Sequence, residues 1–205
     1  MTILIVDDHP LLRAGLVRLL AIEFAAAVAE AANAAEGLRL FRALAPEITV
    51  LDLNLPGEGG LSLLQTMRAD DPHARVIVLS MRSDAWSAEA ALRLGAVGYL
   101  SKSAPPELIL EAVRRARAGQ NFVDPAVVEV VTRGQSAEAA PNLSVQDLDL
   151  LRLLLDGQRP EQIARSLGIT EKTVANRKSM LRSKLGATSD LELLKTAEAA
   201  GFVGG

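Results

Sequence analysis

The run Ile3-Leu4-Ile5-Val6, followed at once by Asp7-Asp8, decides the fold. It is short, apolar throughout and mostly β-branched, as a strand buried on both faces should be. Two carboxylates at its end cannot belong to the same apolar layer. The pattern recurs. Ile48-Thr49-Val50-Leu51 stops at Asp52, Val76-Ile77-Val78-Leu79 stops at Ser80, and Val97-Gly98-Tyr99-Leu100 leads to Lys102. A weaker run, Ala27-Val28-Ala29, fits a fifth strand. In a parallel sheet the C-terminal strand ends share one edge, where ligand crevices form. Carboxylates, a hydroxyl and an ammonium are therefore expected to converge on one small site. Such a set suits a divalent cation and a phosphoryl group, because like charges this close need neutralising.

Amphipathic stretches separate these runs: Pro10 to Leu20, Ala34 to Leu44, Leu61 to Met67, Ser87 to Leu94 and Pro106 to Ala118. Five strands alternating with five helices predict a doubly wound α/β domain with a five-stranded parallel sheet over residues 1–118. Residues 119–142, with Gly134, Ser136 and Pro141, read as a linker that holds one short helix at Pro125 to Val131.

From Leu143 to the end the pattern is helical. Ser144 and Asp147 form a capping-box signature, and Gly157 ends that helix. Pro160 opens a second, Gly168 closes it, and Thr170 caps a third that runs to Gly186. A fourth starts at Ser189 or Asp190. Helix, tight turn, helix over residues 160–185 is a helix-turn-helix unit, so residues 143–205 form an all-α domain. Its second helix turns Val174, Leu181 and Leu185 inward, and Lys172, Ala175, Asn176, Ser179 and Arg182 outward. Asn176 can read adenine by two hydrogen bonds. Lys172, Arg177, Lys178, Arg182 and Lys184 suit phosphates, which position a protein without carrying sequence information.

Charge and composition agree. The chain has 205 residues and a net charge of −3, with 49% hydrophobic residues, enough for two cored domains. Residues 142–205 carry nine basic and eight acidic side chains, and five of the basic ones fall between Lys172 and Lys184. That local patch points to nucleic acid. With no cysteine, disulfides and thiolate chemistry are excluded, and two histidines argue against a His-rich metal centre. Met1-Thr2 runs straight into the first strand, and Glu23, Glu30 and Asn33 break the Ala-rich stretch. Neither a secretory leader nor a membrane span is expected, which favours a cytoplasmic protein.

Residues 1–118 resemble the receiver domain of two-component response regulators. The matching residues are Asp7-Asp8, Asp52 followed by Asn54-Leu55-Pro56-Gly57, Ser80, Tyr99 and Lys102. The resemblance implies that Asp52 is the phosphoacceptor, and that Asp8, Asp52 and the Asn54 carbonyl hold Mg²⁺ with Asp7 helping through water. It further implies that Ser80 and Tyr99 are a switch pair and that Lys102 pairs with the phosphoryl oxygens. Ser103 stands where many receivers have proline. Taken singly, Asp8 before Pro10 could as well be a helix N-cap, and His9 reads as structural.

Residues 143–194 resemble the LuxR/NarL type of DNA-binding domain through Leu143-Ser144, Leu150, Leu153-Leu154, Gly157, Ile163-Ala164, Leu167-Gly168-Ile169-Thr170, Thr173-Val174, Leu181 and Lys184-Leu185-Gly186. It departs where the family often has a basic residue after Thr-Val (here Ala175-Asn176), and where Arg177 replaces a common histidine. Asp190 also replaces a common arginine, and Gln146-Asp147 an Arg-Glu pair. The duplex-contacting set implied is Lys172, Thr173, Ala175, Asn176, Arg177, Lys178, Ser179, Arg182 and Lys184.

Both halves together resemble the NarL/FixJ family of response regulators. That implies a non-enzymatic transcriptional regulator. A sensor histidine kinase phosphorylates it, it binds double-stranded DNA as a homodimer when phosphorylated, and RNA polymerase is a further partner. It also implies a receiver that masks the recognition helix until phosphate frees it. Two competing readings are a phosphate sink or protein-interaction switch without DNA binding, and an aspartyl phosphohydrolase, the latter disfavoured by the lack of a substrate-binding cap.

Overall fold

A computed structural model describes residues 1–55, 59–81, 85–134 and 143–199. The N-terminal apolar run lies in β1 (Thr2–Val6), where Ile3, Leu4, Ile5 and Val6 are fully buried. Burial on both faces follows from the helices that flank the sheet. The chain continues through α1 (Pro10–Phe24), β2 (Ala27–Ala31), α2 (Ala34–Leu44), β3 (Ile48–Leu51), α3 (Gly60–Asp70), β4 (Val76–Ser80), α4 (Ala85–Arg93), β5 (Gly98–Ser101) and α5 (Pro106–Arg117). Then come β6 (Phe122–Val123) and α6 (Pro125–Gly134).

The sheet order is β2-β1-β3-β4-β5-β6, with every pairing parallel. Leu4, Val6, Leu51, Val76 and Val78 join the core on the α2, α3, α4 side. Ile3, Ile5, Val50, Ile77 and Leu79 join the α1, α5 side. The alternation is the period-two geometry of strands. Strand order reverses at β1, so β1 and β3 are neighbours, and the Val6–Leu51 register sets Asp7 beside Asp52.

The sheet has six strands, one more than the five expected. Residues 122–134, expected within a linker, fold onto the receiver as β6 and α6. Val127 is fully buried, and the buried Asp124 carboxylate accepts from Ala126 N at 2.9 Å and Ser101 N at 3.4 Å. Two residues are too few to show a strand period, and only the neighbouring edge of β5 makes them one.

The second domain comprises α7 (Val145–Leu155), α8 (Pro160–Leu167), α9 (Glu171–Lys184) and α10 (Asp190–Ala199). The expected caps form. Ser144 Oγ accepts from Asp147 N while Ser144 N donates to the Asp147 carboxylate, and Thr170 Oγ1 accepts from Thr173 N. Gly157, Gly168 and Gly186 end their helices with φ of 69°, 63° and 66°, the left-handed region open to glycine. Leu150, Leu153, Ile163, Val174, Leu181 and Leu193 form the core.

Candidate functional site

Asp7, Asp52 and Lys102 come from the ends of β1, β3 and β5 and meet as expected. Asp7 and Asp52 are nearly inaccessible, and Lys102 Nζ lies 2.7 Å from a carboxylate oxygen of each. One buried cation between two buried anions is tolerable only with such close pairing. Asn54 N donates to Asp52 Oδ1 at 2.9 Å. Burial pushes the Asp52 carboxyl above its ordinary range, and the bonds from Asn54 N and Lys102 only partly offset this. Lys102 N donates to Ser80 O at 2.8 Å, tying the lysine loop to the end of β4. Where many receivers have proline, the Ser103 hydroxyl meets Ser101 Oγ at 2.6 Å, so two hydroxyls knit the loop.

Asp7, Asp8, His9 and Asp52 each place a ligand atom within 4.8 Å of the others. The oxygens suit a hard divalent cation. Asp8 Oδ1 and Asn54 Oδ1 are buried without a hydrogen bond, which is the state expected of atoms awaiting a ligand. Asp8 is not the helix cap. The N-cap of α1 is His9, whose backbone N–H donates to Asp7 Oδ1 at 2.8 Å. His9 also joins this cluster: its Nδ1 lies 2.7 Å from Asp8 Oδ1, outside hydrogen-bond geometry, and 3.2 Å from Lys102 Nζ. Only its adjacency to Asp7-Asp8 could have signalled this. Arg13 carries no sequence signal for the site at all. One turn into α1, it donates to Asp7 O at 2.6 Å and pairs with Glu30.

Ser80 is buried at the end of β4 and Tyr99 is fully buried, in the apolar cluster that contains Ala88, Ala91 and Val127. Tyr99 therefore occupies the inward position. Pro56 and Gly57 lie outside the described residues.

On α9, Lys172, Ala175, Asn176 and Ser179 are exposed, and Thr173, Arg177, Lys178 and Arg182 partly so. Lys184 is committed within the domain, its Nζ 2.5 Å from Asp147 Oδ2. Lys178 Nζ is 2.6 Å and Arg182 Nη1 3.4 Å from the carboxylate of Asp190. Lys172 and Arg177 make no ion pair among the described residues.

The two domains touch through α7. Asp149 and Arg152 are both buried there, which nothing in the sequence marks. Ser62 Oγ donates to Asp149 Oδ2 at 2.7 Å, and Arg152 donates to the carbonyl of Leu53, the residue after Asp52. Asp149 sits so close to Gly59, the N-cap of α3, that a Cβ there would fall 2.2 Å from its carboxyl. A carboxylate at this helix N-terminus is favourable. Trp86 of α4 packs against the helical core. Ser62, Gln65 and Thr66 of the receiver and Gln146, Ile169 and Arg177 of the helical domain line a cavity of about 370 Å³. Contact thus falls on α7 and on the turn before α9. Arg177 of α9 lines that cavity too, while Lys172, Ala175, Asn176 and Ser179 of the same helix stay exposed, so the receiver lies against one flank of α9 and leaves the rest open.

The architecture recurs in known proteins. Residues 3–114 match the response regulator receiver domain, and residues 141–197 match the bacterial regulatory proteins of the luxR family. The chain is 34% identical over 198 residues to the nitrate/nitrite response regulator protein NarL of Escherichia coli K12, covering 93% of this chain and 92% of that one. A two-component response regulator of the LuxR family from Aurantimonas sp. SI85-9A1 is 36% identical with a TM-score of 0.63, over 66% of this chain and 98% of that one. The two-component response regulator RcsB in its DNA complex is 25% identical with a TM-score of 0.64, over 97% and 98%. Among the described residues no helix is long and apolar enough to cross a membrane. The chain belongs to the response regulators in which a receiver domain is joined to a LuxR-type helix-turn-helix domain, a family of DNA-binding transcription regulators.

Proposed function

We propose that this regulator accepts a phosphoryl group on Asp52 from a sensor histidine kinase and passes the change to its DNA-binding domain through α7. The observation that carries this reading is the meeting of Asp7, Asp8, Asp52 and Lys102 at the switch point of the sheet. Asp52 Oδ attacks phosphorus, an O–P bond forms as the phosphohistidine N–P bond breaks, and the acyl phosphate remains. Asp8, Asp52 and the Asn54 carbonyl would hold Mg²⁺, with Asp7 behind them, and the ion would neutralise charge on the phosphoryl oxygens. Lys102 bridges Asp7 and Asp52 before transfer and turns to the phosphoryl group after it. Ser80 donates to a phosphoryl oxygen, while Tyr99 holds the inward position. The group adds about −2 charge. The nearest coupled atom is the Leu53 carbonyl, which accepts from Arg152 of α7. Movement there loosens the contact between domains.

The unit that receives phosphate extends through α6. Residues 143–199 bind double-stranded DNA through the outer face of α9, and a phosphorylated homodimer would match two half-sites. RNA polymerase is the downstream partner and the cytoplasm the site of action. Incubation with Mg²⁺ and an acyl-phosphate donor, read by intact mass, tests the phosphoacceptor. One added phosphoryl group that Asp52→Asn abolishes is expected, and addition that survives the substitution would overturn the assignment.

A further inference from the structure

Asp190 divides its carboxylate between two cations of α9. Oδ2 lies 2.6 Å from Lys178 Nζ and Oδ1 3.4 Å from Arg182 Nη1. Lys178 and Arg182 are four residues apart and so share one face of the helix. A DNA phosphate offers such a pair the same ligand, one negative charge spread over two oxygens. Asp190 thus fills the place a phosphate would take.

The neighbouring pairs differ. Lys184 pairs with Asp147, which is 11% exposed and belongs to the capping box of α7, so that bridge is part of the domain's frame. The Asp190 side chain is 55% exposed, and its partners are 23% and 33% exposed. Bridges this open contribute little to stability. Nor does α10 need them to stay docked, because Leu193 and Ala197 are already buried in the core. What the bridges do is occupy two of the four basic side chains of α9 that the Lys184 bridge leaves available to a phosphate backbone.

We propose that Asp190 is an internal stand-in for a DNA phosphate. It occupies Lys178 and Arg182 in the free protein, must yield them when a duplex docks, and thereby lowers the affinity and salt dependence of DNA binding. The proposal rests on the reading of α9 as the duplex-facing helix.

Anisotropy of a labelled mixed-sequence duplex of about 30 base pairs, titrated with the full-length chain between about 50 and 300 mM salt, tests it. Asp190→Asn should tighten binding about tenfold at the lower salt, the effect of freeing two solvent-facing cations. It should also steepen the slope of log K against log salt by about one to two, roughly one for each further phosphate neutralised. Asp190→Glu keeps the charge and should stay near the wild type. In a Lys178→Gln/Arg182→Gln background, Asp190→Asn should bring no improvement. Thermal melts of each variant verify folding.

Unchanged affinity and slope in Asp190→Asn would overturn the proposal. So would an equal tightening in the doubly substituted background, which would reflect net charge alone. Lys172→Gln/Arg177→Gln leaves both bridges in place and separates the two levels. If it weakens binding while Asp190→Asn does nothing, only this proposal falls. If it leaves binding unchanged, the assignment of α9 falls and the proposal with it.

Discussion

Replacing Arg152 by glutamine should separate the two domains without touching the phosphoryl site. The guanidinium of Arg152 donates to the Leu53 carbonyl, and glutamine is too short to reach it. A hydrogen bond from a charged donor contributes about 1.5–3 kcal/mol. Leu53 O also accepts from Gly60 N at 3.2 Å, so the carbonyl is not stranded and the lower end applies. About 1.5 kcal/mol corresponds to roughly a tenfold shift from docked to undocked domains. Ser62 and Asp149 would still hold, so the shift is partial. The chain carries its own reporter. Trp86 is the sole tryptophan, and it lies on the receiver against the helical core. In Arg152→Gln its emission should move to the red, and DNA affinity measured without phosphate should rise toward that of the phosphorylated wild type. Unchanged Trp86 emission and unchanged affinity in a folded variant would refute α7 as the coupling element.

Three further outcomes are expected. Above the ordinary carboxylate range, and without divalent cation, Asp52→Asn should be more stable than the wild type. Burial raises the folded-state pKa of Asp52 above the ordinary 3.8, so the native state binds more protons than the unfolded one and loses stability as pH rises through that window; melts from acid to neutral pH in chelator would show the difference open, and parallel curves would count against it. For Asp147, burial raises the pKa but the bonds from Lys184 and Ser144 outweigh it, leaving the carboxyl low. That stabilisation is present above the unfolded pKa and is lost as pH falls through the folded one, so Lys184→Met should flatten the acid limb of the helical domain's melt, and an undiminished acid limb would contradict the assignment. Gly60→Ala should cost about 1–3 kcal/mol in thermal stability and slow phosphorylation, since overpacking is destabilising and the new Cβ would fall 2.4 Å from both Asp52 O and Leu53 Cα, which are backbone; wild-type melting and phosphorylation would contradict it.

Most of the receiver is legible in the sequence because its strands are buried on both faces. Such strands show as continuous apolar runs, and the polar residue that ends each run marks the functional edge. The capping residues Ser144, Asp147 and Thr170 are equally plain, since caps are local chemistry. What stays hidden depends on partners distant in sequence. Phe122-Val123 becomes a strand only by meeting Gly98-Tyr99. Asp149 and Arg152 look like surface charges on α7, and only the receiver's presence buries them. His9 and Arg13 matter through where the loop after β1 carries them, a matter of fold geometry that residue type does not record.

β6 has a consequence for assembly. A five-stranded parallel sheet ending at β5 would leave a row of unpaired amides and carbonyls beside Tyr99, open to any extended segment. Phe122 N donates to Val97 O and Asp124 N to Tyr99 O, so the row is closed from within the same chain. The α6 that follows lies against α4. Strand exchange is thereby closed off at that end of the sheet, and a second copy that approaches it there meets helices, whose contacts can form and dissolve without unravelling the sheet.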